Sequence, residues 1–122
     1  DTTRLFERAK DLGCPLHLHV DQFNALGMLP RALEMGVHSV AHMEASASAD
    51  LIALARSDTI AVLLPLSGFC TDGRYAQGRL LADEGAAIAL ATNYNPGSAP
   101  CPSMPLAIAI ACRRLRLTMP PA

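Results

Sequence analysis

Four stretches of the chain repeat one order of hydrophobic and polar positions. A segment with helical spacing runs into a glycine or turn residue, and a short apolar run follows. "LFERAKDLG" precedes "CPLHLHV", "LPRALEMG" precedes "VHSVAHM", "SADLIALARSD" precedes "TIAVLLPL", and "GRYAQGRLLADEG" precedes "AAIALATN". A last helical pattern, "SMPLAIAIACRRLRL", ends the series. Leu5, Ala9 and Leu12 fall on one helical face, as do Leu51, Leu54 and Ala55. Gly13, Gly36 and Gly85 stand where helices stop, a position that tolerates left-handed backbone. Ser48 followed by Asp50 reads as an N-cap with an acidic first turn, and Pro30 fits the first turn of its helix.

Helices alternating with short, non-alternating apolar strands predict an α/β chain with a parallel sheet buried on both faces. A full (β/α)₈ barrel needs roughly 250 residues, so four units make about half of a TIM-type barrel. A small doubly wound sheet is the alternative. No G-x-G-x-x-G follows any strand, which disfavours its dinucleotide-binding form. Both architectures bind ligands beyond the carboxyl ends of their strands.

Composition narrows the function classes. The chain is 51% hydrophobic but only 4% aromatic, and its net charge is −1. Neither a nucleic-acid nor a membrane-surface partner is expected from that balance. The apolar runs are too short to span a bilayer, and no signal peptide is recognisable. Cys14, Cys70, Cys101 and Cys112 form no C-x-x-C pair, which predicts free thiols in a reduced cytoplasm. The first residue is Asp1, so the expectation is a single segment, 1–122, of something longer.

The polar residues gather at the strand ends. His17 and His19, spaced by two, share one face of the first strand. His42 ends the second strand, Asn93 ends the fourth, and the third ends without a titratable group. Converging imidazoles can bind a metal such as zinc. Asp21, Gln22 and Glu44 follow these histidines closely and could orient a ring or hold a substrate. On spacing alone, a strand-end histidine reads more readily as a satisfied polar residue than as a ligand, and Asn95-Pro96-Gly97 as ordinary turn chemistry.

The blocks "HVDQFNALG", "SVAHME", "IAVLLP" and "ATNYNPGSAP", in this order and at these intervals, resemble four successive blocks of imidazolonepropionase, an amidohydrolase-superfamily family of histidine degradation. The closing "SMPLAIAIACRRLRLT" is also similar, so the resemblance covers nearly the whole chain. It implies a metal-dependent (β/α)₈ barrel with a small β-sandwich beside it, of which this chain is strands five to eight. It implies hydrolysis of 4-imidazolone-5-propanoate to N-formimidoyl-L-glutamate. His19 matches the strand-five zinc or iron ligand, and Gln22 matches the Glu or Gln that contacts the imidazolone ring. His42 matches the strand-six His near the reacting carbonyl. Asn95, Gly97 and Ser98 match the loop that holds the propionate and amide end of the substrate.

Two positions depart from that pattern. The family places Asp, a metal ligand and the base that activates water, where this chain has Asn93. The family's strand-one His-x-His pair is not in this chain, and "LHLH" is followed by residues that match strand five. The expectation is therefore that the parent is a hydrolase of a cyclic amide C–N bond. The 122-residue chain alone is expected to be inactive, to bind no stoichiometric metal and to self-associate. Two other readings stand beside it. One is a related cyclic-amide hydrolase or deaminase. The other is a degenerate half-barrel or binding module.

Overall fold

The computed structural model describes residues 2–118. Asp1 and Met119, one an unexpected first residue and the other a methionine of packing or surface type, lie outside the described residues. The elements run α1 (Thr2–Asp11), β1 (His17–Val20), α2 (Met28–Glu34), β2 (Ser39–His42), α3 (Ser48–Ala55), β3 (Ile60–Leu63), α4 (Pro65–Cys70), α5 (Gly78–Asp83), β4 (Ile88–Leu90) and α6 (Met104–Arg114). No helix among the described residues is long and apolar enough to cross a membrane. The four cysteines are free thiols.

The strands form one parallel sheet in the order β1-β2-β3-β4. Each crossover steps one place in the same direction. Crossovers share one hand, so the connecting helices fall on one face of the sheet. A doubly wound sheet reverses its order partway and is covered on both faces. This sheet does not reverse, and the barrel-type reading holds.

Burial follows that topology. Leu18 pairs with Val40, Val40 with Ala61 and Leu63 with Leu90, which places them on one face. Val20, Val40, Ala61 and Leu63 on that face are buried with Leu29 and Ala32 of α2, Leu51 and Leu54 of α3, and Leu81 of α5. Full burial of each such Leu or Val is worth about 1.5–3 kcal/mol. The opposite face carries His17, His19, Ala41, Val62 and Ala89, and His17, His19 and Ala89 are exposed. Burial on both faces was therefore wrong for this chain. A smaller cluster joins Leu66 of α4 to Ala99 and to Ala107 and Ile110 of α6.

Several local expectations are corrected. Leu5 and Leu12 of α1 are exposed, and Phe6 and Ala9 pack against the core instead. The helix flanks an edge strand, so only a narrow stripe of it meets the sheet. Ser48 lies inside α3 and donates to Gln77 Oε1 at 3.0 Å, while Ala47 holds the extended cap position. A side-chain cap of that kind occurs at α6, where Ser103 Oγ accepts from the Leu106 N–H at 3.3 Å. The third apolar run does not end as strand, because Pro65 starts α4. The fourth helical pattern shortens to Gly78–Asp83, since the Asp72 carboxylate takes the Arg74 N–H and holds a turn before it. Gly13, Gly36 and Gly85 do adopt positive φ at helix ends.

Two pins close the ends of the strands. Asp21, just past β1, has φ 50° and is buried; Ser46 Oγ donates to its Oδ2 at 2.7 Å and the Ala45 N–H to its carbonyl at 2.8 Å. At the end of β3, Gly68 of α4 packs on the following turn, and a Cβ there would sit 1.9 Å from the Arg74 carbonyl oxygen.

Both pins make predictions for stability. Gly68→Ala must push back the Arg74 backbone, and overpacking of that kind costs about 1–3 kcal/mol. A thermal melt should show a clear fall in Tm; an unchanged melt would mean that the 71–75 turn is not seated on α4. Ser46→Ala leaves the buried Asp21 carboxylate without its hydroxyl donor, at a cost of about 1–3 kcal/mol. Urea titration should move the midpoint down with an unchanged slope. Equal midpoints would remove Ser46 from the account of how Asp21 is held.

Candidate active site

The parallel register brings the ends of all four strands to one rim. His19 pairs with Ala41 and lies on the open face; Val20 pairs with His42, one residue further along. By alternation alone, His42 would point to the helix-covered face with Val40. The backbone prevents this. His42 has φ 81° and Met43 φ 67°, two successive left-handed residues. They swing the His42 ring off the strand line and over the rim, where it stacks on the His19 ring with centroids 3.9 Å apart and planes 20° apart. Met43 is fully buried, and its N–H donates to the Val20 carbonyl at 3.0 Å, which holds the turn against β1.

Around this stack the polar groups are paired. His42 Nδ1 lies 3.0 Å from Glu44 Oε1, and both side chains are buried. Gln22 Nε2 donates to Ser67 Oγ at 3.1 Å, tying the end of β1 to α4. His17 Nδ1 lies 2.7 Å from Ser39 Oγ, and its ring meets His38 edge-on, so it is held away from the rim. Although His19 is exposed as a residue, partial desolvation of its ring, with the neighbouring His42 ring next, lowers its pKa, while Gln22 and the Glu44 carboxylate act the other way. His19 is thus favoured as a neutral imidazole, the form that donates a lone pair.

Asn93 ends the fourth strand in a left-handed conformation, φ 55°. The loop after it is organised by Asn95. Its Oδ1 accepts from the N–H groups of Gly97 at 2.9 Å and Ser98 at 2.8 Å. Its Nδ2 donates to the Asn93 carbonyl at 2.7 Å and lies 3.1 Å from Ser98 Oγ. The two N–H groups that could cradle an anion are turned onto this amide oxygen. For them to meet a carboxylate, the Asn95 side chain must rotate away.

Of the residues singled out in the sequence, the fold brings His19 and His42 into contact and sets Gln22 and Asn93 on the same rim. Asn95, Gly97 and Ser98 form their own turn. Glu44 stands beside His42, as its place in the sequence suggested, whereas Ser67 is a site residue that the sequence does not single out. Ser67 was hidden because "LLPLSG" looks like a strand tail, although Pro65 marks a helix start. Among the described residues no three His, Cys, Asp or Glu side chains come close enough to hold a metal ion. His19 with a strand-end amide is an incomplete donor set for zinc, which usually takes three or four protein ligands.

No family model matches the chain. It is 47% identical over 115 residues to the imidazolonepropionase of Chloroflexus aggregans, covering 93% of this chain and 27% of that protein. The imidazolonepropionase of Deinococcus deserti is 42% identical over 122 residues, 100% of this chain and 31% of that protein. An adenosine deaminase from Xanthomonas campestris with bound zinc superposes with TM-score 0.77 at 19% identity, over 93% of this chain and 29% of that one. That likeness establishes the fold, a run of parallel βα units shared with about a third of that chain. The chain spans less than a third of the length of the relatives it matches, and over nearly all of its own length it resembles a part of imidazolonepropionase.

Proposed function

We propose that this chain supplies strands five to eight of an imidazolonepropionase barrel that hydrolyses 4-imidazolone-5-propanoate in the cytoplasm. The observation that carries this reading is the 47% identity along 93% of the chain, joined to the His19–His42 stack at the rim where such barrels bind ligands. His19 is the imidazole offered to a divalent cation, zinc or iron, whose remaining donors lie outside this chain. Gln22, fixed by Ser67, meets the imidazolone ring. His42 stands at the reacting carbonyl. Asn95, Gly97 and Ser98 receive the propionate once the Asn95 amide has turned aside.

Asn93 favours a second reading, a catalytically incompetent segment of the same ancestry. A carboxylate at the end of β4 can accept the proton of an attacking water, and an amide cannot. The test joins this chain to the preceding part of the Chloroflexus aggregans relative and measures turnover of 4-imidazolone-5-propanoate. The Asn93 form should be weak, and Asn93→Asp should raise turnover by about 10²–10⁴-fold, the usual worth of general-base help. Full activity with Asn93 in place would assign the base elsewhere; no gain with Asp would favour the incompetent segment.

Among the described residues the sheet has an open face and two unpaired edges, β1 and β4. Unpaired edges and uncovered apolar surface promote association. Light scattering at micromolar concentration should show dimers or larger species, and a monodisperse monomer would count against this picture of the open sheet.

A further inference from the structure

Glu44 is an expensive residue where it stands. Its side chain is 6% exposed. A buried carboxylate needs a partner for each oxygen, and an unpaired one costs folding free energy. Glu44 Oε1 faces His42 Nδ1 at 3.0 Å, while Oε2 is buried with no hydrogen-bond partner among the described residues. The small cavity beside it is lined by Leu64, Pro65, Tyr75, Ala76 and Leu115, and no cation stands among them. Among the described residues the hydrogen-bond partner of this carboxylate is His42, with the His19 ring stacked behind it.

An ionised Glu44 only accepts, so the ring nitrogen facing it then carries the proton. We propose that Glu44 is a positioning residue: it holds His42 as the Nδ1–H tautomer, stacked on His19, so that Nε2 is the acceptor this ring offers to a ligand at the rim. Nε2 then suits an N–H donor, such as the ring N–H of a cyclic amide, and disfavours ligands that present only acceptors. This inference rests on the reading above that His42 faces the substrate ring. The left-handed backbone at His42 and Met43 aims the ring at the rim, and Glu44, two residues on, sets its rotation and tautomer. Such an arrangement, in which the far nitrogen is fixed by a carboxylate, determines which nitrogen does the chemistry.

The test uses the ¹⁵N-labelled chain itself and needs no substrate. Long-range proton–nitrogen correlation of the histidine rings at about pH 9, where free imidazoles are neutral, reads the tautomer of each. Wild-type His42 should show the Nδ1–H pattern. In Glu44→Leu, which fills a similar volume with no acceptor, that pattern should be lost in favour of Nε2–H, with the far-ultraviolet circular dichroism unchanged. A merely structural role for Glu44 would leave the tautomer in place. Nε2–H in wild type, or Nδ1–H surviving in a folded Glu44→Leu, would overturn the proposal. Should the variant fail to fold, the wild-type spectrum still decides. Turnover by the joined barrel is a separate measurement: the tautomer can hold while turnover is absent, in which case the functional reading fails and the positioning role stands.

Discussion

The parallel backbone ladder from β1 to β4 is the constraint on which the remaining features depend. It runs four short strands the same way and in sequence order, so four carboxyl ends arrive at one rim. It also sends the connecting helices to one side, where Val20, Val40, Ala61 and Leu63 meet Leu29, Leu51, Leu54 and Leu81. The other side is left with His17, His19, Ala41, Val62 and Ala89.

The rim chemistry is built from backbone that resists its own conformation. Asp21, His42, Met43 and Asn93 all have positive φ, and left-handed non-glycine residues cost about 1–3 kcal/mol each. Three of the four strand ends therefore carry strain. What offsets it is visible at two of them. Ser46 and the Ala45 N–H hold Asp21, and full burial of Met43 with its bond to Val20 holds the turn after β2. Strain that persists at the end of a strand, where it redirects a side chain, is commonly linked to ligand binding. At His42 the redirected side chain lands on His19, the residue that the family resemblance matches to a metal ligand.

The alternation of helix and strand was readable because each helix needs an apolar stripe and each strand an apolar run, and both are local patterns. Gly13, Gly36 and Gly85 were readable for the same reason, since a helix end asks for left-handed backbone at one known place. What escaped were choices made between elements. Ser48 has the chemistry of an N-cap, yet its hydroxyl reaches Gln77, far away in sequence, and the cap moves to Ala47. Leu5 and Leu12 have the spacing of a buried face, but α1 flanks the edge of the sheet and presents mainly Phe6 and Ala9 to it. The loop at Asn95 has donors fit for an anion, and its own amide oxygen occupies them.

By itself the sequence determined four βα units, the absence of a dinucleotide fingerprint, and the placement of His19, His42 and Asn93 at strand ends. It also carried the family resemblance block by block. These are properties of residue type and order, which periodicity and motif spacing record directly. Only the tertiary structure decided that one sheet face stays open, because that depends on the direction in which successive crossovers step. Only it decided that His42 leaves the face its alternation assigns and stacks on His19, because two left-handed residues turn the chain there. The pairing of Glu44 with His42 in a buried, apolar setting was likewise settled by packing, since the apolar wall around that carboxylate comes from α4, α6 and the turns beside them.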